Sequence, residues 1–168
     1  MKYPIGIQRF EKLCEEDWVY VDKTVHIYNL VQGGTCYFLS RPRRFGKSML
    51  LSTLEAYFQG KKHLFKGLAI EQLETEWAEH AVLHLDLNAE KYTAPEDLTN
   101  ILDTYLREWE EKYESTEKEN PSLSQRFRSV IRAAKQKTGR NVVVLVDEYD
   151  KPMLQAIGNE ELQTEFRN

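Results

Sequence analysis

The chain has 168 residues, 41% hydrophobic and 30% charged, with only 5 Pro and 8 Gly, a composition that excludes disordered and fibrous classes and fits one soluble domain with an apolar core. A formal net charge of −4 excludes a surface built throughout for nucleic acid and leaves that role only to a local basic cluster. The sequence has no run of about 18 apolar residues for a membrane span, the segment MKYPIGIQRFEKL lacks the apolar stretch of a secretory signal, and Cys14 and Cys36 have no metal-ligand spacing, so the expectation is a reduced, cytoplasmic protein.

In chain order, Thr24–Gln32 carries Val25, Ile27, Tyr28, Leu30 and Val31 at helical spacing, with Asp22 or Thr24 as N-cap and Gly33 as stop. Cys36-Tyr37-Phe38-Leu39, between Gly33-Gly34 and Pro42, predicts a short buried strand, with Cys36 as a small interior side chain. A helix over Gly46–Phe58 follows and ends at Gly60. Ala81–Leu87 reads as a second strand. Leu98–Tyr113 and Ser122–Lys137 read as amphipathic helices, the first opened by Pro95-Glu96-Asp97 and the second closed by Gly139. Val142–Val146, five apolar residues of which four are β-branched, predicts a strand covered on both faces, and a last helix begins near Pro152. Strands alternating with helices imply a parallel sheet with helical crossovers.

Gly46-Lys47-Ser48 sits between the first predicted strand and an amphipathic helix, where a phosphate-binding loop has to lie. The chemistry needs backbone N–H groups at the positive end of a helix dipole, one lysine for the terminal phosphates and one hydroxyl for Mg²⁺. Lys47 and Ser48 supply the last two, and Gly46 lets the backbone approach the ligand. The candidate nucleotide-binding residues are Arg43, Arg44, Phe45, Gly46, Lys47, Ser48 and Met49. Arg41 stands where the common pattern G-x-x-x-x-G-K-[ST] has its first glycine. The competing reading is a solvated basic turn before a core helix.

Asp147-Glu148 ends the third predicted strand. A carboxylate there can bind Mg²⁺ together with Ser48, directly or through water, while Glu148 polarises the water that attacks the γ-phosphate. The metal residues are therefore Ser48 and Asp147 and the catalytic residue is Glu148, with an acidic turn after a core strand as the bland alternative. Asp150 either orients one of these groups or caps the helix at Lys151-Pro152. Asp86, at the end of the second strand, reads as a strand-end turn. Arg41, Arg43 and Arg44 neutralise either a triphosphate or a nucleic-acid backbone. The four histidines share no metal spacing, and Trp18, Trp77 and Trp109 read as packing residues.

These residues, with Tyr3-Pro4-Ile5-Gly6 and Phe10, Tyr20-Val21-Asp22-Lys23-Thr24, the segment Phe38–Ser48 including Arg41-Pro42-Arg43-Arg44-Phe45, and Val146-Asp147-Glu148-Tyr149-Asp150-Lys151-Pro152, make the chain similar to a bacterial family called the AAA-ATPase-like domain. The resemblance covers essentially the whole chain. It implies an α/β fold of the three-layer P-loop NTPase type, with a mainly parallel sheet flanked by helices. It also implies ATP and Mg²⁺ as ligands, Lys47 and Ser48 as phosphate and metal residues, Asp147 as the metal-site carboxylate and Glu148 as the base. Members are frequently joined to a C-terminal nuclease-like domain of the PD-(D/E)XK type. Such ATPases place further strands after the acidic site, so residues 1–168 are expected to be one P-loop ATPase-like domain, incomplete at its C-terminus, in a larger protein. Two functions remain: an ATPase module completed by C-terminal elements or a partner protein and coupled to an attached domain, or a non-hydrolysing nucleotide-binding module acting through protein or DNA contacts.

Overall fold

The computed structural model describes residues 3–4, 6–16, 18–42, 44–88, 90–116 and 121–167. The chain divides into two compact units, Met1–His80 and Ala81–Asn168.

The first unit is helical. Its elements are α1 (Phe10–Glu15), α2 (Thr24–Gly33), α3 (Lys47–Phe58), a 3₁₀ turn (Lys62–Phe65) and α4 (Ile70–Leu73). Phe10, Phe65 and Ile70 are fully buried. Phe65 meets Phe10 at 4.9 Å and Trp77 at 5.1 Å between ring centroids, and Tyr57 adds a third ring against Trp77 at 5.8 Å. Offset and edge contacts of this kind favour aromatic pairs beyond their area alone, so the packing of rings rather than a sheet organises this unit. Trp77 is thus the packing residue its type suggests. Gly60 has φ +66° and its missing Cβ would lie 3.0 Å from the Trp77 carbonyl, which explains the glycine after α3 twice over.

The second unit holds the sheet. Strands β1 (Val82–Asp86) and β2 (Val143–Asp147) pair in parallel, with Val82 beside Val143 and Asp86 beside Asp147. Helices α5 (Pro95–Tyr113) and α6 (Leu123–Thr138) form the crossover between them, and α7 (Lys151–Gln155) and α8 (Glu160–Arg167) follow. Leu83 of β1 is fully buried against Leu106 and Trp109 of α5 and Val130 and Ala134 of α6. The two helices are also joined by Arg126, whose guanidinium reaches Glu110 at 2.7 Å and also Asp103. Helix α5 opens with Pro95 and with Asp97 accepting from the Thr93 and Ala94 amides at 2.7 and 2.8 Å. Helix α6 opens with a reciprocal Ser122–Gln125 cap and closes at Gly139, φ +67°.

Two expectations need correction. Residues 36–39 carry no regular secondary structure, Phe38 is 72% exposed, and Cys36 is exposed rather than interior. A four-residue apolar run becomes a strand only against a partner edge, and the described residues of the first unit form no strand. Its Tyr37 hydroxyl donates instead to the Leu30 carbonyl at 2.6 Å, at the end of α2. In β2 the coverage is one-sided: Leu145 and Asp147 are buried, whereas Val144 and Val146 are 43% and 40% exposed. The mixed α/β class with parallel strands and flanking helices holds, with a sheet of two strands among the described residues. No helix among those residues is long and apolar enough to cross a membrane.

Candidate functional site

In the first unit the residues of interest surround the start of α3. Arg44 and Gly46 both take left-handed backbone, at φ +66° and +76°, and Lys47 begins the helix. Open space surrounds the position a Cβ would occupy at Gly46, so glycine is favoured there by its φ and not by a close approach of backbone. Arg41, in the place of the usual first glycine, has no positive φ and so needs none. The carbonyl of Gly46 accepts the Leu50 amide at 3.0 Å, the first bond of the helix. The amides of Lys47, Ser48 and Met49 precede that bond, so the helix itself offers them no acceptor. Arg44 and Phe45 are exposed, and Lys47, Ser48 and Met49 are half-buried. Arg43 and Ile5 lie outside the described residues.

Asp22 or Thr24 is the expected cap of α2, but Lys23 holds the N-cap position without a side-chain capping bond, and the two flanking side chains do other work. Asp22 Oδ1 accepts from the Thr24 amide at 2.8 Å and hydroxyl at 2.7 Å, and Oδ2 accepts from the Ala69 amide at 2.7 Å. Thr24 Oγ1 in turn accepts from the Ile70 amide at 3.1 Å. The two side chains therefore tie the start of α2 to the start of α4. Burial pushes the Asp22 carboxyl upward, and the hydrogen bonds from Ala69 and Thr24 outweigh it, leaving the group below its ordinary value. The Tyr20 hydroxyl pairs with the Thr53 side chain of α3, so the same stretch also rests on the helix that follows the loop.

In the second unit Asp147 is the last residue of β2 and only 6% exposed. Its Oδ1 accepts the Glu148 amide at 3.0 Å. Glu148 is half-buried with φ +51°, a left-handed backbone uncommon outside glycine, Asn and Asp. Its carbonyl accepts the Lys151 amide at 3.0 Å. Asp150 occupies the N-cap position of α7 without a side-chain capping bond. Asp86 stands beside Asp147 in register, and its Oδ1 accepts the Asn88 amide at 2.8 Å, which is the strand-end turn expected of it. Sequence reasoning missed Lys151 and Gln155. Lys151 Nζ donates to the carbonyls of Asn88 and Glu90, both at 2.7 Å, and Gln155 Oε1 accepts the Tyr92 amide at 2.7 Å. The available signal was a lysine one helical turn before a glutamine, directly after the acidic residues.

Lys47, Ser48 and Met49 thus belong to the first unit and Asp147 and Glu148 to the second. No group of three or more His, Cys, Asp or Glu among the described residues is arranged to hold a metal ion. Ser48 carries a hydroxyl in the first unit and Asp147 a carboxylate in the second, each an oxygen donor of the kind Mg²⁺ takes.

A family model described as "Predicted AAA-ATPase" matches residues 4–168. A relative from Azotobacter chroococcum mcd 1, named "Uncharacterized protein in vnfD 5'region", is 42% identical over 171 residues, covering 99% of this chain and 32% of the relative. The chain therefore spans about a third of the length of that protein. No solved structure matches. With the match running almost end to end, the chain belongs to the predicted AAA-ATPase family.

Proposed function

We propose that this chain is an ATP–Mg²⁺-binding module of P-loop type, in which hydrolysis or nucleotide state is coupled to an attached domain or partner protein. The observation that carries the reading is the start of α3: a left-handed Gly46 immediately before Lys47-Ser48, at the N-terminus of a 12-residue helix. Three successive amides, the positive end of the helix dipole, an ammonium and a hydroxyl form a donor set suited to a polyphosphate. Lys47 neutralises the terminal phosphates, and Arg43 and Arg44 add positive charge. Ser48 would offer its hydroxyl and Asp147 its carboxylate to Mg²⁺, which would neutralise phosphate charge. Glu148 accepts the proton of the attacking water. A cytoplasmic setting, where ATP and Mg²⁺ are plentiful, suits this role.

A second reading, nucleic-acid contact by the same loop, is favoured by the exposure of Arg41 and Arg44 beside exposed Tyr37, Phe38 and Phe45. Cations interleaved with aromatic rings suit a single strand.

Titration with ATP, with and without Mg²⁺, decides between them. Lys47→Ala is expected to weaken ATP binding roughly 10- to 100-fold, the loss of one charge-assisted contact. Glu148→Gln is expected to leave binding in place and slow turnover on the order of 100-fold or more. Equal ATP affinity in wild type and Lys47→Ala would sink the phosphate-loop reading, and equal turnover in wild type and Glu148→Gln would remove Glu148 as base. Single-stranded DNA that binds wild type and loses affinity on joint replacement of Arg43 and Arg44, with ATP inert throughout, would favour the second reading.

A further inference from the structure

We propose that Lys151 is the positioning residue for Glu148, acting as a clip that joins the acidic turn after β2 to the turn after β1. The inference rests on Glu148 being the base of the proposed hydrolysis and adds a residue to it. Lys151 makes two kinds of bond. Its backbone amide donates to the Glu148 carbonyl at 3.0 Å, while its ammonium donates to the Asn88 and Glu90 carbonyls at 2.7 Å each. One residue therefore holds the acidic turn with its main chain and the neighbouring strand's turn with its side chain.

The surrounding geometry makes this a grip and not a chance surface contact. Gln155, four residues along α7, takes the Tyr92 amide at 2.7 Å, so two successive turns of one helix face hold the same segment. That segment is itself braced, with the Tyr92 hydroxyl donating to the Leu87 carbonyl at 2.8 Å and the Leu87 amide donating to the Asp147 carbonyl at 3.1 Å. Lys151 Nζ also lies 5.9 Å from the centre of the Tyr92 ring, within the range of a cation–π contact. Glu148 needs such support. Its left-handed backbone is disfavoured for a residue with a Cβ, and it is held at both ends, the amide by Asp147 Oδ1 and the carbonyl by Lys151. A base works only when its carboxylate is fixed relative to the water it deprotonates, so a loosened clip acts on the rate and not on nucleotide affinity.

The chemistry of the clip calls for a compact cation. An ammonium on a flexible stem directs separate N–H bonds to two carbonyls, whereas methionine keeps the length and the apolar stem without donors, and arginine keeps donors in a planar fork. The test uses Lys151→Met and Lys151→Arg in this chain, with amide hydrogen exchange at Tyr92, Glu148 and Lys151 measured without nucleotide, and ATP Kd and kcat measured with Mg²⁺. Lys151→Met is expected to speed exchange at all three amides by about tenfold. It should lower kcat by about tenfold with Kd changed less than about twofold, and Lys151→Arg should recover part of both effects. Faster exchange at Tyr92 alone would overturn the proposal, since Lys151 would then anchor only the β1 turn. So would faster exchange at all three amides with kcat unchanged. If wild type shows no turnover, or if Glu148→Gln turns over as wild type does, the hydrolysis reading fails and with it Lys151 as a positioning residue, while the exchange pattern still decides whether the clip holds the turn.

Discussion

The segment before α3 and the turn after β2 differ in how they are held. The first is exposed, reverses its backbone at Arg44 and again at Gly46, and ends in helix amides that the helix itself leaves without acceptors. The second centres on an almost buried carboxylate and is tied by hydrogen bonds to β1 and α7. Their proposed chemistry explains the contrast. Amides at a helix start suit an anion that arrives from solvent, so the segment before them can stay exposed. A carboxylate that must meet a metal, or a base that must meet a water, is useful only when its direction is fixed in advance. The contrast extends to the units around them, one packed on aromatic rings and a polar clamp, the other on a strand packed against two long helices.

The largest test of that contrast is a pair of truncations. Leu83 is fully buried in β1 beneath α5 and α6, whereas Phe38 is 72% exposed ahead of α3. Leu83→Ala is expected to lower stability in urea denaturation by about 3 kcal/mol, from lost transfer energy and the cavity left behind. Phe38→Ala should stay within about 0.5 kcal/mol, as for an exposed site. A loss at Phe38 comparable with that at Leu83 would mean that the segment is packed as an interior strand after all.

That pair also shows where sequence reasoning succeeded and where it stopped. The expected helices over 24–32, 46–58, 98–113 and 122–137 appear as Thr24–Gly33, Lys47–Phe58, Pro95–Tyr113 and Leu123–Thr138, because each has enough turns for its apolar stripe to show. Strands β1 and β2 appear within a residue of expectation. Helices α1 and α4 have six and four residues, too few to show a period, and are fixed by contacts such as Phe10 on Phe65 and Thr24 on Ile70. Cys36–Leu39 failed for the opposite reason: its composition suits a strand, but pairing is not a local property. At the site, the helix that starts after Gly46 and the strand that ends at Asp147 were legible in the spacing, while the strand expected before the loop is not formed. The work of Lys151 was not legible, since its acceptor at Asn88 lies 63 residues away in sequence.

A mid-sized effect is expected from the polar clamp of the first unit. Thr24 is fully buried, and its hydroxyl both donates to Asp22 and accepts from the Ile70 amide. Thr24→Val keeps the shape and removes the hydroxyl, leaving the Ile70 amide, in a fully buried residue, without its acceptor. An unsatisfied buried donor of this kind costs about 2 kcal/mol. Urea denaturation of Thr24→Val and Thr24→Ser separates the contributions: serine should retain most of the stability, and a valine variant as stable as wild type would show that the clamp contributes nothing beyond its shape.

The smallest effect concerns the charge on the same clamp and depends on pH. Asp22 has its carboxyl lowered in the folded protein despite the opposing push of burial, because three hydrogen bonds from Ala69 and Thr24 favour the ionised form. A group whose folded value lies below its unfolded one stabilises the fold when ionised. That contribution is fully present above the unfolded value, about 4 for Asp, and is lost as pH falls through the lowered folded value. The carboxylate is exposed and screened, so the loss should be smaller than at Leu83 or Thr24. Asp22→Asn can still accept from Thr24 through its carbonyl oxygen, but its NH₂ cannot accept from Ala69. The stability gap between wild type and Asp22→Asn in urea should therefore be widest at neutral pH and narrow steadily below pH ~4, with the carboxyl resonance of Asp22 titrating below the ordinary Asp range. A gap of constant size from pH 7 downward would assign the clamp to geometry alone and leave the carboxylate's charge without a part in holding the first unit together.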